Sequence, residues 1–227
     1  MKKNPVVKKY LSYLYPITIH REANFYSKVL EVTWVNGKLV LDSKHTNYSF
    51  GSLQRILRKG LLHIGMEQVK AMNEILVLGV AGGSVIDTLV KEFKVTGNIT
   101  GVELDEKIME LSKRFFDLES YQNLNLIHHE AFEFILRTKK KYDLIIIDVF
   151  QDTHMPGFLF ETFFQFRLME VLNPDGYILF NTMILKKEDE IRNETYKTAW
   201  NSFPVQLQVI PKIESHNELI IIYKKQA

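Results

Sequence analysis

The sequence predicts an α/β protein whose main element is a doubly wound, mostly parallel seven-stranded sheet, with a small N-terminal β appendage. Three observations carry this. Short apolar runs at residues 75–78, 99–102 and 142–148 are separated by stretches of helical periodicity, as strands covered on both faces by crossover helices require. The first run is followed by Gly79-Val80-Ala81-Gly82-Gly83, a turn with almost no side-chain bulk, and then by Val85, Ile86, Leu89, Val90 and Phe93 at helical spacing. Two of the runs end in an acid, Glu103 and Asp148, at the strand ends where open parallel sheets bind ligands.

Taken in order, the chain begins with a segment that such a sheet does not accommodate. Residues 28–34 alternate weakly, Val35-Asn36-Gly37 follows, and residues 38–42 read as a returning strand. Asn-Gly between two such runs is the strongest short hairpin signal. Residues 1–48 are therefore assigned to the appendage and 49–227 to the main domain. Tyr26 and Trp34 read as packing residues, and Lys2, Lys3, Lys8 and Lys9 as a solvated tail. From Ser52 the pattern turns helical through Leu53, Ile56 and Leu57, and a second helical piece at 66–72 leads into the first parallel strand.

Beyond Glu103, Asp105 is placed to cap a helix whose Ile108, Met109, Leu111, Phe115 and Phe116 form an apolar face. The next strand, 124–127, ends at His128-His129-Glu130. Adjacent histidines on an extended chain point to opposite sides, so one packed and one exposed imidazole is expected there, not a metal site. A short helix at 131–137 precedes the strand that ends at Asp148. An acid closing an apolar strand is costly to bury without a partner, which favours a functional role. Residues 149–158, with Gln151, Asp152, His154 and Pro156, read as a lid and substrate loop. A helix at 162–172, the turn Asn173-Pro174-Asp175-Gly176, a strand at 177–181 and an exposed helix at 188–200 follow. Strands at 205–210 and 218–223 are close enough in sequence to pair antiparallel.

Composition narrows the partner. The 29 Lys plus Arg against 27 Asp plus Glu in 227 residues give no general pull toward nucleic acid or membrane, so a small molecule is expected. The absence of cysteine excludes disulfides and thiolate metal sites and fits a cytoplasmic, soluble protein. No run approaches the ~20 apolar residues of a membrane helix. At the glycine turn, a dinucleotide fingerprint wants Gly where Ala81 and Ser84 stand, and there is no Walker lysine. A nucleoside without a pyrophosphate fits better, with S-adenosylmethionine the foremost example. Glu103, about 20 residues past the turn, is placed for the ribose hydroxyls, and Glu130-Ala131 for the adenine side. An ordinary strand-turn-helix with no ligand stays open on the glycines alone.

The chain resembles the spermidine synthase family of the Rossmann-like, class I S-adenosylmethionine-dependent methyltransferase fold. The residues that carry the resemblance are Gly101-Val102-Glu103-Leu104-Asp105 with the helix after it, Tyr142-Asp143-Leu144-Ile145-Ile146-Ile147-Asp148, Leu172-Asn173-Pro174-Asp175-Gly176 and Leu39-Val40-Leu41-Asp42. The resemblance implies a donor site at Gly79, Ala81, Gly82, Gly83, Glu103, Leu104, Glu130 and Ala131, catalytic acids at Asp148 and Asp152 with help from His154, no metal, and a homodimer using the N-terminal hairpin. Two departures stand out. Polyamine-forming members carry an aspartate in the glycine turn where Gly82 stands, and a second acid after the fourth strand that is displaced here by one residue to Asp152. Both acids serve an amine, so their loss and shift lead to the expectation of methyl transfer from S-adenosylmethionine to a small acceptor. The alternatives are aminopropyl transfer from decarboxylated S-adenosylmethionine and a non-catalytic nucleoside-binding relative.

Overall fold

The computed structural model describes residues 5–43, 47–49, 52–151, 154–214 and 216–225. Helix α1 (Pro5–Leu11) precedes an antiparallel sheet of β1 (Ile17–Asn24), β2 (Lys28–Val35), β3 (Lys38–Ser43) and β4 (Asn47–Ser49), in that order. The Asn36-Gly37 hairpin forms as its sequence demands. Both residues have positive φ, 48° and 74°, which matches a two-residue turn to the strand twist and puts Val35 opposite Lys38. Three elements of this unit escaped the sequence reading: α1, β1 and the short β4. Lys8 and Lys9 belong to α1, not a solvated tail, and β1 pairs with β2 although its His20, Arg21 and Glu22 carry little apolar alternation. Ser12 ties α1 down by accepting the Asn36 N–H on its carbonyl and the Gly37 N–H on its hydroxyl.

The larger unit starts with α2 (Ser52–Ile64) and α3 (Met66–Lys70), then runs β5 (Glu74–Leu78), α4 (Ser84–Asp87) with a π turn at Thr88–Glu92, β6 (Asn98–Glu103), α5 (Glu106–Phe116), β7 (Leu124–His128), α6 (Ala131–Arg137) and β8 (Tyr142–Ile147). It continues through α7 (Thr162–Val171), β9 (Leu172–Met183), α8 (Lys187–Ala199), β10 (Val205–Ile213) and β11 (Asn217–Lys224). The seven strands lie in the order β10-β11-β9-β8-β5-β6-β7. Contacts from β7 through β9 are parallel, and β11 runs antiparallel between β9 and β10.

Alternation along each central strand builds two cores. Ile75 and Val77 point to one face, where they meet Leu61, Ile86, Leu89 and Phe93 from α2, α4 and its π turn. Leu76 and Leu78 point to the other, against Ile135, Phe164, Leu168 and Tyr196 from α6, α7 and α8. All four strand residues are fully buried. Two expectations need correction. The helix read as exposed, α8, buries Asn193 and Tyr196 and delivers Trp200 to the core, because its apolar residues are few but large. The turn read at Asn173 to Gly176 lies inside β9 as a bulge. Pairing passes from Tyr142 opposite Leu172 to Leu144 opposite Tyr177, with Asp175 at φ 58°. No helix among the described residues is long and apolar enough to cross a membrane.

Strand β5 sits where the winding reverses. The chain leaves it for β6 on one side and later returns through β8 and β9 on the other, so the loops after β5 and β8 diverge and open a crevice.

Candidate active site

A cleft of about 490 Å³ fills that crevice at the carboxyl ends of β5, β6 and β8. Its walls come from the glycine turn, the ends of β6 and β8, the start of α6, the loop after β8, the end of β9 and the β10–β11 connection. Four carboxylates line it: Glu103, Asp105, Glu130 and Asp148. Histidines 129, 154 and 216 join them, and among the described lining residues there is no lysine or arginine.

The glycine turn is built around Glu103. Its Oε2 accepts the N–H groups of Val80 and Ala81, each at 3.0 Å, and its Oε1 accepts the Asp105 N–H at 3.0 Å. Those turn N–H groups are the ones a pyrophosphate would need, and they are committed to a carboxylate. Burial pushes the Glu103 carboxyl above its ordinary value, against the three backbone bonds that pull it down. Oε2 is filled by its two N–H donors, whereas Oε1, which accepts one, retains a lone pair for a further donor such as a ribose hydroxyl.

Gly79 is required by close approach. At φ 83° its Cα faces the Asp148 carbonyl, and a Cβ would collide with that backbone. Asp148 in turn donates its N–H to the Leu78 carbonyl at 2.9 Å, which seats it directly beyond β8. Its Oδ1 accepts Asn181 Nδ2 at 2.9 Å. Burial first, and then the Glu103 charge, raise its carboxyl from 3.8 to about 7, while the Asn181 bond opposes them. A partly exposed carboxyl poised near neutral pH is suited to receive a proton from an amine.

Seven of the sequence-named residues line this one cleft: Gly79, Ala81, Glu103, Leu104, Glu130, Ala131 and Asp148. His154 lines it as well, from the loop after β8. Gly82 and Gly83 do not. Both are buried, and Gly83, the N-cap residue of α4, backs onto Leu118, so its missing side chain serves packing. Asp152 lies outside the described residues. Glu130 has a structural duty that spacing alone concealed: its Oε2 caps α6 by accepting the Glu133 N–H at 2.9 Å. Of the two adjacent histidines, His128 is exposed and His129 half-buried in the cleft wall.

Sequence reasoning missed Tyr26, Ser27, Asn181, His216 and Asn217, all of which line the cleft. Tyr26, read as a packing residue, reaches the site because Asn24 anchors its turn. Asn24 Nδ2 donates to Asp105 Oδ2 at 2.6 Å, while its Oδ1 accepts the N–H groups of Tyr26 and Ser27. Asn181 carried a usable signal, because it closes the apolar run 177–180 just as Asp148 closes 144–147. Asn217 carried none.

A doubly wound, Rossmann-like methyltransferase-type fold with an acid-lined crevice at its switch point is the class this architecture defines. The description "Spermine/spermidine synthase domain" matches residues 54–227, and the chain belongs to that family. It is 31% identical over 151 residues to a polyamine aminopropyltransferase of Buchnera aphidicola, an alignment covering 64% of this chain and 51% of the relative. It is 28% identical over 170 residues to the polyamine aminopropyltransferase of Methanocaldococcus jannaschii, covering 71% and 56%. The chain thus spans about half the length of the relatives it matches. Among solved structures, a spermidine synthase in complex with the transition-state analogue AdoDATO superimposes with a TM-score of 0.70 at 16% identity, over 91% of this chain and 73% of the other.

These findings overturn the expectation of methyl transfer. The related sequences are named for aminopropyl transfer, and the departures in the glycine turn and at Asp152 do not remove the chain from their family. The physical reason is visible in the cleft. Gly82, where the missing acid was sought, does not face it, whereas four other carboxylates do.

Proposed function

We propose that this chain transfers an aminopropyl group from decarboxylated S-adenosylmethionine to an amine acceptor. The observation that carries the reading is the charge of the cleft, four lining carboxylates with no lysine or arginine among the described lining residues. Donor and acceptor are both cationic in this reaction, and a lining of one sign favours them and opposes a ligand carboxylate. The names of the relatives support the same choice.

The donor brings a propyl carbon already activated by its sulfonium sulfur, so the protein's task is alignment, desolvation and proton removal. Glu103 is the residue for the ribose hydroxyls, and the backbone at Glu130 and Ala131 forms the adenine side. Gly79, whose Cβ position is taken by the Asp148 carbonyl, keeps Asp148 close beside the β5 turn where the nucleoside lies. The acceptor's reacting nitrogen gives a proton to Asp148, and its freed lone pair bonds to the propyl carbon as the carbon–sulfur bond breaks. That bond's electron pair leaves with sulfur in a neutral thioether, and the new secondary amine carries the positive charge. With Oδ1 held by Asn181, Oδ2 is the oxygen that accepts the proton.

The test is to incubate purified protein with the decarboxylated donor and putrescine and to measure spermidine by mass spectrometry. Spermidine formation that Asp148→Asn abolishes is the expected result. Absence of any aminopropylated product across a panel of mono-, di- and triamines, with folded protein, refutes the reading.

A further inference from the structure

Asp148 is gripped on one side by a chain of two amides. Asn181 Nδ2 donates to its Oδ1 at 2.9 Å, and Asn217 Nδ2 donates to Asn181 Oδ1 at 3.0 Å. Asn181 comes from β9 and is fully buried, while Asn217 opens β11 and is 8% exposed. The antiparallel register, with Asn217 opposite Met183 and Leu219 opposite Asn181, brings both amides to the cleft end of these strands. Buried amides are costly unless each finds its partners.

The chain of bonds has one polarity. An ionised carboxylate only accepts, so Asn181 must turn its NH₂ toward Asp148. Its oxygen then faces Asn217, which must answer with an NH₂ of its own. Turning either amide over would bring oxygen against oxygen. We propose that Asn181 and Asn217 are positioning residues for the proton acceptor: together they hold Asp148 Oδ1, orient the carboxylate and leave Oδ2 to face the acceptor nitrogen. This assignment rests on the aminopropyl-transfer reading. The other ionisable groups lining the same cleft are Tyr26, Glu103, Asp105, His129, Glu130, His154 and His216. Of the influences on the Asp148 carboxyl, burial and Glu103 push it up and the Asn181 bond pulls it down, so loosening the chain has a signed consequence.

The experiment follows kcat, donor KM and the pH profile in Asn181→Ala and Asn217→Ala, alongside a carbon-13 NMR titration of the Asp148 carboxyl. Losing a hydrogen bond to a charged group corresponds to about one pH unit and about a tenfold effect. Asn181→Ala is therefore expected to move the acid limb up by about one pH unit and lower kcat about tenfold at neutral pH, with donor KM held within about twofold. Asn217→Ala, which leaves Asn181 present but free to turn, moves the limb in the same direction by less. A purely structural role would lower stability without moving the limb. Folded variants whose acid limb and NMR titration coincide with the parent's overturn the proposal. Asn217→Ala carries the test if Asn181→Ala does not fold. Because the NMR titration needs no turnover, a parent that makes no aminopropylated product refutes the function while the amide chain is still read separately.

Discussion

Replacing Asp148 by asparagine is expected to abolish turnover and, above neutral pH, to stabilise the protein. The carboxyl stands at about 7 in the folded chain instead of 3.8, chiefly because burial disfavours its charge. At about 1.4 kcal/mol per pH unit, that rise of roughly three units is an upper bound of about 4 kcal/mol against the folded state once the group is ionised. Asp148 is open to the cleft, and solvent screening reduces the figure by about half, to ~2 kcal/mol. The sign follows from proton counting. A folded value above the unfolded one means that the native state holds the extra proton between pH ~4 and ~7. Stability is therefore favoured below pH ~4 and is lost as pH rises through about 7. Asparagine does not titrate, and its oxygen still accepts from Asn181. The assay is urea denaturation of parent and variant at pH 8, 6 and 4.5. A gain of ~2 kcal/mol for the variant at pH 8, shrinking toward the lowest pH, is expected. A variant less stable than the parent at pH 8, or a difference independent of pH, refutes the reasoning. Turnover of the parent should rise with pH through about 7, because only the ionised carboxylate accepts a proton.

Other consequences are equally specific. Glu103→Ala removes the acceptor of three backbone N–H groups and, on the proposed reading, of a ribose hydroxyl, and nucleoside binding measured by calorimetry is expected to weaken by about 1.5–3 kcal/mol; undiminished affinity in a folded variant sinks the assignment. Gly79→Ala places a Cβ against the Asp148 carbonyl at φ 83° and is expected to cost at least ~2 kcal/mol in denaturation experiments, whereas a neutral result means that the turn and β8 separate without penalty. The N-terminal region is proposed to pair two copies of the chain, since Tyr10 and Leu14 are 70% and 80% exposed there; a monomer at all concentrations by light scattering rejects it.

The parts of the fold that sequence made legible are those set by local periodicity. Residues 75–78 and 142–147 form strands because continuous aliphatic runs suit a position covered on both faces, and Asn36-Gly37 turns because both positions tolerate positive φ. What stayed hidden depends on partners distant in sequence. Strand β1 is polar, and pairing with β2 makes it a strand. The burial of α8 depends on Tyr196 and Trp200 reaching Phe160, Phe180 and Phe203, not on the helix's mean composition. Asn217 has no neighbour in sequence that hints at a site. Its role arises from the register that sets it beside Asn181.

The expectation of methyl transfer failed for a related reason, and the size of the charge effect shows why. Position by position, the acids show one loss at Gly82 and one displacement at Asp152. A ligand responds instead to the summed field of the cleft. At an effective dielectric near 20, one ionised carboxylate about 8 Å from a ligand charge contributes about 2 kcal/mol, favourable to an ammonium and unfavourable to a carboxylate. Glu103, Asp105, Glu130 and Asp148 all line the cleft, and no described lysine or arginine there offsets them. Asp105 and Glu130 spend part of their charge on helix N-termini and Glu103 on the glycine turn, and Asp148, raised to about 7, is ionised only in part at neutral pH, so the separate contributions are reduced, yet their sign is common. On the proposed reading, moving one acid out of the turn leaves a lining that still favours a cationic donor. Leu104 lines the cleft, so Leu104→Arg adds a cation there and is expected to shift relative binding, measured by calorimetry, toward S-adenosylmethionine over its decarboxylated form; an unchanged ratio refutes the field argument.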